Sequence, residues 1–203
     1  MALQADTYYH IYNRANGNEN LFRNDENYYY FLKLWDKYVN PIAGTYAYCL
    51  MPNHFHTLIK INEENLLMDF FKKQLKSDLT DLSNLSSLIS KRFSNFFNAY
   101  AKAYNKSFDR QGSLFNRPFK AKEITSDNYF TNVIFYIHHN PVHHEFTESI
   151  EDWRHSSFHA LISDKATHLQ RKTVNEWFGG KEQLKIFHNQ VLKEKEKLEL
   201  EFT

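Results

Sequence analysis

Cysteine, proline and glycine are all scarce in this chain: one, four and five among 203 residues. The single thiol, Cys49, excludes an intramolecular disulfide framework and fits a reducing compartment, so a cytoplasmic location is expected. No run approaches the roughly 18 apolar residues a membrane helix requires, so no membrane partner is expected. Met1-Ala2-Leu3-Gln4-Ala5-Asp6 lacks both a basic start and an apolar stretch, so a signal peptide is not expected either. No internal repeat or low-complexity tract is present. A formal net charge of only +1 argues, for the chain as a whole, against a nucleic-acid partner.

Aromatic residues, by contrast, are plentiful: 18 Phe and 13 Tyr. They fill cores, and they also supply stacking surfaces for unpaired bases. The hydrophobic share of 42% and charged share of 24% are ordinary for a globular chain long enough to bury a core. Charge is unevenly distributed. Between Leu88 and Ile124 stand Lys91, Arg92, Lys102, Lys106, Arg110, Arg117, Lys120 and Lys122 against only Asp109 and Glu123. A phosphate backbone responds to such a local field; a solvated helix face followed by a basic loop has the same composition.

Periodicity gives the element order. Tyr8 to Arg14 reads as a strand, broken by Asn16-Gly17-Asn18. Asp25 is placed to cap a helix from about Glu26 to Tyr38. Thr45 to Met51 and Phe55 to Ile61 form a hairpin around Pro52-Asn53. After a polar stretch from Asn62 to Leu85 comes a helix over Ser86 to Tyr104, then a short strand over Pro118 to Ile124. Thr125-Ser126-Asp127-Asn128 caps a further helix, expected to end near Asn140-Pro141 because a residue before proline avoids helical angles. A charged helix over Gln183 to Leu200 closes the chain. This order predicts an α+β ferredoxin-like sandwich: one antiparallel sheet with helices on one face, plus a C-terminal helical extension.

The chemistry starts at Met51-Pro52-Asn53-His54-Phe55-His56. On a strand His54 and His56 share a face about 7 Å apart, placed to share a metal ion, while Phe55 points into the core. The pair alone equally describes two half-buried histidines without chemical consequence. Tyr136 and Asn140, at i and i+4, lie on one helix face. An asparagine carbonyl is a neutral oxygen ligand for Mg²⁺ or Mn²⁺, and would complete the site. A tyrosine one turn back would stand beside a bound phosphate. With an ordinary pKa of about 10, phenolate leaves a phosphodiester more readily than an alkoxide, which suits breaking and remaking a strand. Of 13 tyrosines, most must be structural.

These residues resemble a family. Met51 to His56 looks like the HUH motif of single-tyrosine, single-strand DNA transposases, and the chain resembles the REP-associated tyrosine transposases among them. Further support comes from Tyr8-Tyr9-His10-Ile11-Tyr12-Asn13-Arg14 and the block from Gly112 to Lys120. Tyr136-Ile137-His138-His139-Asn140-Pro141-Val142 and Trp153-Arg154-His155-Ser156-Ser157 complete it, in the family's order. The resemblance implies a catalytic domain over 1–160 followed by an extension over 161–203. It implies His54, His56 and Asn140 as ligands of Mg²⁺ or Mn²⁺, and Tyr136 as the nucleophile of a 5′-phosphotyrosine intermediate. The implied partner is single-stranded DNA with palindromic hairpins, nicked and rejoined by an endonuclease and strand-transfer activity; a homodimer is compatible with it. Arg14, Arg117, Lys120 and Lys122 are chosen as DNA phosphate contacts, and Phe115 and Phe119 either stack bases or fill the core. His138, His139, His143 and His144 read as surface histidines, with an alternative ligand among them as the sharper option.

A domesticated hairpin-binding protein without transposition is the competing reading, but binding alone requires none of Tyr136, His54, His56 and Asn140. A histidine-triad nucleotide hydrolase would want a histidine where Leu58 stands.

Overall fold

The computed structural model describes residues 2–75 and 85–190. Its sheet contains β1 (Tyr8–Arg14), β2 (Ala43–Met51), β3 (His54–Ile61) and β4 (Lys120–Glu123), in the order β2-β3-β1-β4 with every neighbour antiparallel. Between the strands lie α1 (Asp25–Tyr38), α2 (Glu64–Leu75) and α3 (Leu85–Ser107). After β4 come α4 (Asp127–His143), α5 (Phe158–Ile162), α6 (Arg171–Phe178) and α7 (Lys181–Gln190). The α+β ferredoxin-like arrangement is therefore present.

The period-2 alternation of the strands divides the molecule. One sheet face presents Tyr9, Ile11, Leu50, Phe55, Ile59 and Ile61 to α1 and α3. From α1 come Phe31, Leu34 and Trp35, and from α3 come Ile89, Phe93, Phe96 and Tyr100, at the spacing of a core-facing helix stripe. Phe55 has no exposed surface, as its place between the two histidines requires. The ferredoxin-like unit thus carries both of its helices on one face. The other face is also covered. Tyr46, Ala47, Cys49, Met51 and Leu58 pack against Phe130, Val133, Ile134 and Ile137 of α4. The fully buried Val174 of α6 and Leu184 of α7 belong to that same cluster.

Local chemistry moves several boundaries. The cap of α1 is Asn24, whose Oδ1 accepts from the Asn27 amide at 3.1 Å, not Asp25. Asp25 is instead the first helical residue, where its charge meets the helix N-terminus and the Arg154 guanidinium. α4 does not stop before Pro141 but runs through it to His143. A proline near the end of a helix sacrifices few further bonds, and the His144 amide closes the turn on Asn140 O at 2.9 Å. The closing helix is seen over Lys181–Gln190; its expected continuation to Leu200 lies outside the described residues. No helix among the described residues is long and apolar enough to cross a membrane.

Candidate active site

β1 and β3 build the floor of the site. Their register sets Arg14 opposite His54 and Tyr12 opposite His56, and β4 adds Lys120 opposite Tyr12 and Lys122 opposite His10. His54, His56, His10, Tyr12 and Arg14 therefore share the face that α4 crosses. The hairpin presenting the histidines is pinned from outside. Pro52 O accepts from Leu21 and Phe22 amides at 2.6 and 3.0 Å, and Asn53 O accepts from the Ala15 amide at 2.8 Å.

α4 brings Tyr136 over the pair, its ring edge-on to His56 at 5.4 Å between centroids and to His10 at 5.8 Å. The His54 and His56 rings are themselves 5.4 Å apart. A cleft of about 440 Å³ is lined by His54, His56, Tyr136, Arg14, Lys120, Tyr12 and their neighbours Asn53, His144 and Phe146.

The histidines' hydrogen bonds select their free nitrogens. Nδ1 of His54 lies 2.6 Å from the acceptor Asn53 Oδ1, so the proton sits on Nδ1 and the lone pair on Nε2. Nδ1 of His56 is engaged by Nε2 of His10 at 2.9 Å. Burial, reinforced by His144 and Arg14, pulls His54 down to about 3, the Asn140 amide opposing. Burial, then His10 and His54, holds His56 well below the ordinary histidine range. Both imidazoles are neutral at pH 7, the form a metal requires. Asn140 donates from its Nδ2 to Tyr136 O at 2.8 Å, while its buried Oδ1 has no well-formed hydrogen bond among the described residues. An orphaned carbonyl oxygen facing His54 is the feature a third, oxygen ligand would have. Among the described residues no three His, Cys, Asp or Glu side chains converge on a possible ion. In donor type, two neutral imidazoles and the partnerless Asn140 oxygen suit a divalent ion.

Burial pushes the Tyr136 phenol above its ordinary value, the Asn140 side chain acting against that rise and Tyr12 adding to it. The resting tyrosine is protonated.

The chosen basic residues separate by position. Arg14 and Lys120 are exposed and line the cleft. Lys122 is exposed on the same sheet face, its Nζ 5.2 Å from the Tyr129 ring. Arg117 lines a neighbouring groove of about 770 Å³ between α3 and the segment before β4, which shares Asn13, Asn116 and Pro118 with the cleft. Two members of the basic stretch have structural work: Arg92 donates to Tyr38 O and Lys37 O at the end of α1, and Arg110 pairs with Glu19 at 2.8 Å. Phe115 is buried and Phe119 packs against Phe93 and Phe97, which is core filling.

The surface reading of the four histidines fails for two. His138 is fully buried between His188 Nε2 and Ser157 Oγ, both at 2.8 Å, and His139 is buried with Nδ1 donating to Phe135 O. The cover for His138 comes from α7, fifty residues later in the chain. Behind the cleft, His10 bears on His56 and Tyr136 with no signal in the sequence beyond its even-numbered place on the strand.

No family model matches the chain. A Haemophilus influenzae protein named as a REP-associated tyrosine transposase is 27% identical over 146 residues, covering 70% of each chain. Among solved structures, a REP-associated tyrosine transposase bound to a REP hairpin aligns with a TM-score of 0.52, 16% identity, and 79% and 82% of the two chains. At that identity it speaks for the fold, which is shared. In sequence over seven-tenths of its length, and in the architecture of its sheet and helices, the chain is similar to proteins named as REP-associated tyrosine transposases.

Proposed function

We propose that this chain nicks and rejoins single-stranded DNA beside a palindromic hairpin, through a 5′-phosphotyrosine on Tyr136. The observation that carries the reading is the shared cleft of Tyr136, His54 and His56, with the Asn140 carbonyl oxygen left without a donor one turn along α4. A hairpin-binding protein without chemistry would need no such set.

Arg14 and Lys120 hold the DNA backbone at the cleft mouth and bring the scissile phosphate under α4. The Tyr136 phenol oxygen then bonds to phosphorus as its proton is lost. The bond from phosphorus to the 3′-oxygen breaks, and that oxygen takes up a proton and leaves as a 3′-hydroxyl. Attack of a DNA 3′-hydroxyl on the phosphotyrosine reverses the step, joins the strand and restores the phenol. His54, His56 and Asn140 would hold Mg²⁺ or Mn²⁺, which when bound supplies Lewis-acid polarisation and orientation of the phosphate. The hydrogen bonds at Nδ1 restrain the His54 and His56 rings, so less rotamer freedom would be lost at the moment of binding.

The test is a gel-resolved protein–DNA adduct on hairpin-flanked single strands. Tyr136→Phe is expected to form none while binding the same DNA with nearly unchanged affinity. An adduct that persists in Tyr136→Phe would sink the nucleophile assignment.

A further inference from the structure

We propose that His10 is a positioning residue that fixes the tautomer of His56, and so decides which nitrogen His56 offers to a divalent cation. This rests on the reading of His54, His56 and Asn140 as metal ligands. His10 lies on β1, outside the histidine hairpin, and is 2% exposed. Its Nε2 is 2.9 Å from His56 Nδ1, and the two rings run nearly parallel, 25° apart with centroids 5.1 Å apart. Tyr12 flanks the His10 ring at 4.9 Å and Tyr136 meets it edge-on at 5.8 Å, so the ring has little freedom to turn away.

A neutral imidazole carries one proton, and the proton in this pair can belong to either ring. If His56 Nδ1–H donates to His10, the lone pair of His56 is on Nε2 and available to a metal. If His10 Nε2–H donates instead, Nδ1 of His56 is used as the acceptor and Nε2 keeps the proton, leaving no ligand nitrogen. A metal-binding His56 therefore requires His10 as the acceptor. Asn53 does the equivalent for His54 from within the hairpin, through its Oδ1 at 2.6 Å. Partners of this kind orient a ligating histidine and raise its basicity. His10→Gln keeps an acceptor oxygen at the end of the side chain, whereas His10→Leu keeps bulk and removes the acceptor.

Two measurements on the full chain test the role. Imidazole ¹⁵N correlation spectra of the metal-free, unsubstituted protein should show His56 protonated at Nδ1. Mn²⁺ titrations, read by the loss of free-ion paramagnetic signal, should find His10→Gln close to wild type and His10→Leu weaker by about 10–100-fold. Because His10→Leu can fail to fold, the spectrum of the unsubstituted chain stands by itself: a His56 protonated at Nε2 overturns the proposal. Wild-type Mn²⁺ uptake by a folded His10→Leu overturns the role of His10 alone. No Mn²⁺ uptake by the unsubstituted chain overturns the metal reading and the role of His10 with it.

Discussion

The two histidines of the hairpin differ in how much of the site each can lose. His54 stands at the strand start beside the exposed His144, ring centroids 4.7 Å apart, whereas His56 is enclosed by His10, Tyr12 and Tyr136. Alanine at either position removes one of three proposed ligands. Each single variant should weaken metal-dependent cleavage, and the His54→Ala/His56→Ala pair should show no adduct above background in Mg²⁺ or Mn²⁺. Normal cutting by the double variant refutes the metal site. Chelation of divalent ions should silence the unsubstituted chain in the same assay, with recovery on adding Mn²⁺. Neither change should remove the hairpin binding proposed for Arg14 and Lys120, which gel retardation reads separately.

α1 and α4 show how capping and packing share the decision of where a helix lies. Asn24 satisfies an amide that the first turn of α1 leaves over, and Asp25 and Glu26 add charges of favourable sign. Asn24→Ala should cost about 1 kcal/mol of stability, measured as a shift in urea midpoint with unchanged slope; no shift would mean that Asp25 takes over the cap. At α4 the local preference of the residue before proline yields to tertiary packing. Phe130, Val133, Ile134 and Ile137 are buried against β2 and β3, and that burial holds the helix line through Pro141. The proposed site depends on this, because Asn140 keeps its helical place one turn from Tyr136 only if α4 does not break before Pro141.

At the scale of the whole molecule, buried neutral histidines make stability depend on pH. Burial lowers His10 and His188 to about 3 and holds His138 well below 6.5. Between those folded values and 6.5 the unfolded chain binds more protons than the folded one, so stability rises with pH through that window and is lost as pH falls through it. Each such group removes up to about 1.4 kcal/mol per pH unit on the way down. The melting temperature should fall continuously from pH 6.5 toward pH 4.5, and His188→Gln, which keeps polar reach without a titrating ring, should flatten that fall; an unchanged profile refutes the assignment. The proposed DNA binding offers a second molecular readout. Arg14→Ala and Lys120→Ala should each lower the slope of log affinity against log salt by about 1, whereas the structurally committed Arg92 should not be replaceable without loss of fold.

The four strands, α1, α3 and α4, and the pairing of His54 with His56 on one face follow from the chain's own periodicity, because strands repeat every two residues and helices every 3.6. The helices α2, α5 and α6 are not legible in that periodicity. Tyr136 and Asn140 stand at i and i+4 in the sequence, but they are one helical turn apart only because packing carries α4 unbroken through Pro141. Distance in sequence hides the remainder. Only the register between β1 and β3 sets His10 against His56, and only the packing of α4 across the second sheet face carries Tyr136 over the pair. The burial of His138 by α7, fifty residues later, is equally a tertiary fact, since no local pattern tells a helix which later segment will cover it.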